Sequence, residues 1–316
     1  MRLKNTPVHP HCPPTPGPGA TDAALWEPTP VQPYFPSYVL DYEEMPSDLA
    51  GISLFFSFRT PAYMVRVPII PDNCIDLMFC RKGGHVLAYY CGTVLKLDMY
   101  PLVPDTEYFC VRFRTNLLGH VADIRARDCV NMEIIRGDQG SSEALVGRRL
   151  FAATTLADRA QVFGEGFGGY YRMDSDCAVV NRIVDEIHTA KGDIAISDIA
   201  HRFHYSYSHV YSQFVKYVGM TPKLYCRITR FQHIVRMLLA ETHRSGADTG
   251  FASLCAVPTP GCAVLGTAHR RPQVPSGEEL GFYDQSHFYK EIKKFSGATP
   301  MELASGRHPL HFRANT

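Results

Sequence analysis

Long apolar runs are missing from this chain. No uncharged, continuously apolar run approaches the ~18 residues that a membrane-spanning helix needs, and the N-terminus lacks the basic-then-apolar order of a signal peptide. A cytoplasmic protein that spans no membrane is therefore expected. Paired cysteines are missing too. Cys12, Cys74, Cys80, Cys91, Cys110, Cys129, Cys177, Cys226, Cys255 and Cys262 stand alone, with no C-x-x-C spacing that would suggest zinc or a redox couple. Most are expected to be buried or idle. The run His9-Pro10-His11-Cys12 sits in a proline-rich tail with nothing to fix ligand geometry, so no metal site is expected there. A net charge is almost lacking at +1. The balance is uneven along the chain, however. Lys plus Arg against Asp plus Glu is 17 to 22 over residues 1–190, 7 to 2 over 191–240, 3 to 4 over 241–279 and 5 to 3 over 280–316. A local excess of +5 beside an acidic N-terminal half suggests a footprint for a polyanion.

At 316 residues the chain exceeds what one hydrophobic core usually serves, and two globular domains are expected. Residues 1–37 hold ten prolines (7, 10, 13, 14, 16, 18, 28, 30, 33 and 36) and are read as a disordered tail. Residues 38–170 are read as a β-rich sensing or dimerisation domain. Within it, Ile52–Phe58, Tyr63–Ile70, Ile75–Phe79, Val86–Tyr90 and Tyr108–Phe113 are short β-branched and aromatic runs punctuated by turn residues such as Gly83-Gly84. From about Ser141 the pattern turns helical. Val179, Ile183, Val184 and Ile187 form one apolar stripe that Gly192 ends, and Ile196, Ile199, Ala200 and Phe203 form the next. Ser206 is placed to cap a third helix anchored by Val210 and Phe214 and closed by Gly219. Thr221-Pro222 opens a long helix whose Leu224, Ile228, Phe231, Val235 and Leu238 share a face. The fold class is α+β, with the all-α part over residues 171–316.

A shift of 78 residues lays Ser208–Pro222 over Ser286–Pro300. Seven of the fifteen positions coincide: Ser208/Ser286, His209/His287, Tyr211/Tyr289, Lys216/Lys294, Gly219/Gly297, Thr221/Thr299 and Pro222/Pro300. Three more pairs, Val210/Phe288, Phe214/Ile292 and Tyr217/Phe295, keep apolar character. These are two copies of one unit. Each sets apolar anchors four apart for burial on a preceding helix and turns small or polar side chains outward. A Ser, Tyr, Gln and Lys face suits a helix pushed into a DNA major groove, where hydroxyls and amides meet base edges and lysines meet phosphates. A tandem of structural helix pairs with a solvated polar face would leave the same pattern.

Ile199-Ala200, Tyr205-Ser206, Phe214, Gly219, Thr221-Pro222, Tyr225 and Arg230 resemble the first helix-turn-helix of the AraC/XylS family of bacterial transcription regulators. Leu280 to Phe288, with Gly297 and Pro300, resembles the second. The resemblance covers about residues 175–242 and 278–305. It implies transcription regulation, with double-stranded DNA as partner and the helix from Pro222 setting the spacing of two recognition helices. Carried over position by position, the first recognition helix would present Ser206, Tyr207, Ser208, Tyr211 and Ser212, and the second Gln285, Ser286, Tyr289 and Lys290. Lys216, Lys290 and Lys293 are assigned to phosphates, and Gln285 to an adenine, which an amide can pair bidentately. No catalytic residue, cofactor or metal ligand is expected. A small-molecule effector and a homodimer are left open.

Two departures from the family pattern stand out. Arg230 to Gly281 spans 51 residues (281 − 230), far more than the family takes, and 243–277 holds prolines 258, 260, 272 and 275 and five glycines. A continuous helix through this insertion is implausible. The second recognition helix is therefore expected to lack its buried partner, leaving Phe282, Phe288 and Ile292 exposed and the unit impaired, unless Phe251, Leu254 and Cys255 supply a substitute stripe. Ser212 stands where the family often has arginine, which should weaken the first helix's hold on DNA. In the β-rich domain, Arg112/Arg114 and Asp72/Asp76 are either solvated strand-face charges or the lining of a ligand site. The alternative to a simple regulator is a DNA-binding module attached to an enzymatic or metal-binding β-domain of the alkyl-transfer type. That reading needs an activated thiol.

Overall fold

The computed structural model describes residues 30–49, 51–114, 126–135, 142–167, 177–244 and 274–305. In chain order its elements are β1 (Leu40–Pro46), β2 (Ile52–Arg59), β3 (Val65–Ile69), β4 (Cys74–Lys82), β5 (His85–Cys91), β6 (Asp98–Leu102), β7 (Glu107–Arg114), α1 (Ala126–Cys129) and β8 (Glu133–Ile135). The helices α2 (Ser142–Leu150), α3 (Leu156–Phe167), α4 (Cys177–Thr189), α5 (Ile196–Arg202), α6 (Tyr207–Val218), α7 (Pro222–Arg244), α8 (Gln285–Ser296) and α9 (Pro300–Ala304) follow. The architecture is α+β, β-rich first and helical after.

Six antiparallel strands form one sheet in the order β1-β2-β7-β4-β5-β8, and β3 pairs with β6 in a second. Both faces of the large sheet are covered, which is why β2, β4 and β7 read as continuous apolar runs rather than alternating ones. Phe55, Leu77, Phe79, Phe109, Val111 and Phe113 pack on one face beneath Leu150, Phe151 and Phe163 of the α2–α3 region. On the other face Leu54, Phe56, Phe58, Met78 and Tyr108 meet Val65 and Val67 of β3 and Leu102 of β6. Gly83 and Gly84, at φ 53° and 82°, make the two-residue turn between β4 and β5, where Lys82 pairs with His85. The strands β1, β6 and β8 carry too few buried residues to stand out in the sequence.

Residues 30–37 correct the reading of a disordered tail through residue 37. Tyr34 and Phe35 are buried, and Phe35 stacks edge-on to Phe58 with ring centroids 4.9 Å apart. Two aromatic rings outweigh the local proline content. Gln32 completes the hold: its Nε2 donates to the Ile70 carbonyl and to Asp72 Oδ2, both at 2.8 Å, and its Oε1 accepts from the Ile70 N–H at 3.0 Å. The rest of that tail, residues 1–29, lies outside the described residues.

The β-rich part grips the helical part along α7. The Asn73 amide donates to the Tyr225 carbonyl at 3.0 Å and to Thr229 Oγ1 at 3.1 Å. Gln232 Oε1 accepts from the Val31 N–H at 2.9 Å, and its Nε2 donates to the Pro71 carbonyl at 2.7 Å. Tyr34 and Ile70 lie within the helical core itself, with Leu95 and Leu97 packed against it. The Arg112 charge is not a solvated strand-face charge but is buried against two carboxylates. Arg112 Nε and Nη2 donate to the two Asp76 carboxylate oxygens at 2.9 and 2.8 Å, with Asp72 3.5 Å away, all in the interior. Burial raises the Asp76 carboxyl, and Arg112 offsets part of that rise.

Candidate nucleic-acid interface

The two copies seen in the sequence fold alike, down to their caps. In the first, Ser206 is the N-cap of α6 and its Oγ accepts from the His209 N–H at 3.2 Å. In the second, Asp284 caps α8 and its Oδ1 accepts from the His287 N–H at 2.7 Å. Gly219 and Gly297 close the helices at φ 83° and 73°, a region that only glycine enters without strain. Thr221 and Thr299 then cap α7 and α9, each accepting through Oγ1 from an N–H three residues on.

Behind α6, Val210, Phe214 and Tyr217 bury against Ile196, Ile199 and Ala200 of α5 and Tyr225 of α7. The Phe214 and Tyr225 rings sit 5.3 Å apart. The Tyr225 hydroxyl also meets His188 Nε2 at 3.0 Å, tying α4 to α7. Outward, Ser206, Tyr207, Ser208, Tyr211, Ser212 and Lys216 are all exposed.

The second unit is fully packed, contrary to the expectation that the insertion would strip its support. Phe282, Phe288 and Ile292 are buried, and Phe295 lies 5.1 Å from Phe231 of α7. Among the described residues, 274–284 form a tight loop beneath α8. Gly277 lies so close to α8 that a Cβ there would come within 2.9 Å of the Phe288 Cβ. Its carbonyl accepts from the Phe282 N–H at 2.9 Å, which folds the chain back beneath the recognition helix. Phe251, Leu254 and Cys255, the substitute stripe, lie outside the described residues.

Two arginines of α7 hold the units together, and local sequence pattern gave no sign of either role. Arg227 donates to both carboxylate oxygens of Glu291 on α8 at 2.6 Å, and these bonds raise the guanidinium pKa further. Arg230 donates to the Gly281 carbonyl at 2.6 Å, the Gly192 carbonyl at 2.9 Å and Asp193 Oδ1 at 2.8 Å, bridging the end of α4 to the start of the second unit. Gly192 permits that approach: a Cβ there would lie 2.2 Å from the Cys226 carbonyl oxygen.

These pairs thin the basic footprint inferred from composition. Of the seven cations in 191–240, Arg202 pairs with Glu186, Arg227 with Glu291 and Arg230 with Asp193. Two of those acids lie outside the counted window. The Lys216 ammonium donates to the Tyr217 hydroxyl at 2.8 Å and sits over its ring. On α8, by contrast, Lys290, Lys293 and Lys294 are exposed. Ser286 is exposed and Tyr289 half-buried, its ring edge-on to Phe288. Gln285 is exposed, but its Oε1 accepts from the Gly277 N–H at 2.6 Å, so bidentate pairing with adenine competes with a bond inside the protein.

Residues 188–227, from the end of α4 through α5 and α6 into α7, match the family model of bacterial regulatory helix-turn-helix proteins, AraC family. The chain carries an AraC-family helix-turn-helix. It is a DNA-binding transcription regulator. The AraC-type match ends inside α7, and α8 joins the surface on its own geometry. No curated protein matches the chain. Among solved structures it is similar to ToxT from Vibrio cholerae, at 8% identity and a TM-score of 0.38 over 80% of this chain and 98% of that one. A structure of ToxT with unsaturated fatty acid bound is similar at 8% identity and a TM-score of 0.37, over 83% of this chain and 99% of that one.

Five of the described thiols are shifted away from the activation that an alkyl-transfer chemistry needs. Burial pushes Cys74, Cys91 and Cys110 well above the ordinary thiol range and Cys80 up to about 11. In α7 it pushes Cys226 up to about 12. An attacking thiol needs the opposite shift. Among the described residues no group of three or more His, Cys, Asp or Glu side chains could hold a metal ion, and no helix is long and apolar enough to cross a membrane.

Proposed function

We propose that the protein is a cytoplasmic, sequence-specific regulator whose α6 and α8 enter successive major grooves on one face of a DNA duplex. Ser206, Tyr207, Ser208, Tyr211, Ser212, Gln285, Ser286 and Tyr289 face the bases, and Lys216, Lys290 and Lys293 face phosphates. The observation that carries this reading is the cap-for-cap equivalence of α6 and α8, each with a buried back and an open polar front, joined through α7 by Arg227 and Arg230. The Arg227–Glu291 bond supports both units acting together rather than the first alone. The β-rich residues 38–170 serve as a sensing or dimerising domain. Its support is the hydrogen bonding of Asn73 and Val31 to α7, through which a small-molecule effector or a second copy could bias the DNA-binding part.

The test is a footprint of the full chain on fragments selected from the source genome. Protection of two major grooves one turn apart on one face is expected; protection of a single groove would overturn the two-unit reading.

A further inference from the structure

The exposed face of α6 is unusual for a surface that meets DNA. From Phe203 to Val215 no residue is Asp, Glu, Lys or Arg. Two of its three exposed serines already bond within the helix. Ser206 Oγ accepts from the His209 N–H, and Ser212 Oγ donates to the His209 carbonyl at 2.9 Å. Aromatic surface remains. Tyr207 and Tyr211, one turn apart, are 52% and 40% exposed, and their rings lie nearly parallel with centroids 6.4 Å apart. Beside them Tyr205 stacks on His209 at 4.7 Å. In the second copy the positions of Tyr207 and Ser212 hold Gln285 and Lys290, an amide and a cation. The copies thus share a scaffold and differ in the chemistry they present.

We infer that Tyr207 and Tyr211 form an apolar shelf that packs on the C5-methyl group of thymine, so that the first unit selects thymine by burying its methyl. This rests on the DNA-binding reading above and deepens it. The major groove is polar except at that methyl, which distinguishes thymine from the other three bases by apolar contact alone. A ring pair held in register by the helix offers a preformed surface for it. Each ring carries its hydroxyl at one end and leaves an apolar face; laying that face on a polar base edge would cost free energy, whereas laying it on the thymine methyl strips no polar group of water. The two units differ in emphasis: α8 carries three exposed lysines against the single Lys216 of α6, and α6 adds shape and apolar selection.

The experiment uses the full chain and a genomic fragment that it protects. Each thymine in the groove covered by the first unit is replaced in turn by deoxyuridine, which removes only the methyl. Loss of one buried methyl should weaken binding about three- to four-fold at one or two positions. In Tyr207→Ala the same replacement should have no further effect, while Tyr207→Phe, which keeps the ring, should retain the wild-type sensitivity. Both side chains are exposed, and unchanged thermal unfolding of the variants confirms that they fold. Equal affinity for thymine and uracil sites, with preference for the selected fragment intact, would overturn the methyl assignment alone. Sensitivity lost in Tyr207→Phe would overturn it too, in favour of a hydroxyl contact. Failure to bind any duplex would overturn both this inference and the DNA-binding reading.

Discussion

Arg227 on α7 and Glu291 on α8, 64 residues apart in sequence, close a two-bond fork at 2.6 Å on the inner side of the second recognition helix. The carboxylate is almost wholly buried and the guanidinium is 36% exposed. Removing Arg227 leaves a buried charge without its partner. A fully buried pair broken this way costs about 3–5 kcal/mol, and partial exposure of the arginine brings the expected cost of Arg227→Ala to roughly 2–3 kcal/mol. The damage should centre on α8. Urea unfolding should show the loss, and DNA footprints should shrink to the groove read by α6. An unchanged two-groove footprint would show that α8 is held by its apolar back alone.

Electrostatic attraction should come mainly from the second unit, because three of the four arginines of the 191–240 region are paired with Glu186, Glu291 and Asp193. With about four phosphate contacts, log K should fall against log salt with a slope near −4. Lys290→Ala should lower that slope by about 1 and weaken all sequences alike. A salt-independent affinity would reject the phosphate assignments of Lys216, Lys290 and Lys293.

Gln285 has two duties that substitutions can separate. Its Oε1 receives the Gly277 N–H that closes the supporting loop, and its Nε2 is the donor that adenine N7 would require. Gln285→Glu keeps the acceptor and removes the donor. It should unfold at nearly the wild-type urea concentration yet lose about 1–3 kcal/mol of preference at one base pair. Gln285→Ala should lose stability as well, by about 1 kcal/mol. If the glutamate variant keeps the wild-type base preference at every position, Gln285 is a loop residue and nothing more.

The pH response of the β-rich part should be set in large measure by Glu107. Burial alone would raise its carboxyl, but hydrogen bonds from Arg159 and Arg81, with their charges, outweigh that and hold it below the usual range. A carboxyl depressed in the folded state binds its proton more readily once unfolded. Its contribution is therefore fully present above the ordinary glutamate value near 4.3 and is lost as pH falls through the lower folded value. Urea midpoints measured from pH 6 to pH 3 should drop less steeply in Glu107→Gln than in wild type. Parallel curves would mean that the Arg81–Glu107–Arg159 bridge contributes no linkage.

What the sequence disclosed was local and periodic. Ser206, Gly219 and Thr221-Pro222 mark helix ends through their own backbone chemistry, and the observed α6 begins and ends, and α7 begins, where those residues place them. The repeat identified α8 for the same reason, since Gly297 and Thr299 reuse the caps. Tertiary pairing left no such mark. Arg227 and Glu291 are ordinary charges on two helices until the fold joins them, and a charge count over 191–240 misses that two of the pairing acids lie elsewhere. The insertion misled for a related reason: its proline and glycine content says nothing of Gly277, which comes close enough to Phe288 to pack against the second recognition helix. Tyr34 and Phe35 were hidden by the composition of their neighbours.

The coupling of the two parts turns on Asn73. It sits at φ 58°, a left-handed conformation that asparagine tolerates better than most residues, and from there its amide donates to the Tyr225 carbonyl and to Thr229 Oγ1 in the middle of α7. Asn73→Asp keeps the size and the backbone preference but replaces the donor with a carboxylate oxygen that faces a carbonyl. Leaving such a group buried against an acceptor costs about 1–3 kcal/mol or more. The β-rich core between α2–α3 and β3–β6 is untouched by the change, and so is the α5–α6 packing. The cost should fall on the contact between the parts. Calorimetry should then resolve one unfolding transition into two, and amide exchange should quicken from Tyr225 to Gln232 while the sheet interior stays protected. If the variant unfolds in a single transition at the wild-type temperature, Asn73 does not hold the parts together, and the grip lies with Gln232, Val31 and the apolar contacts of Tyr34 and Ile70.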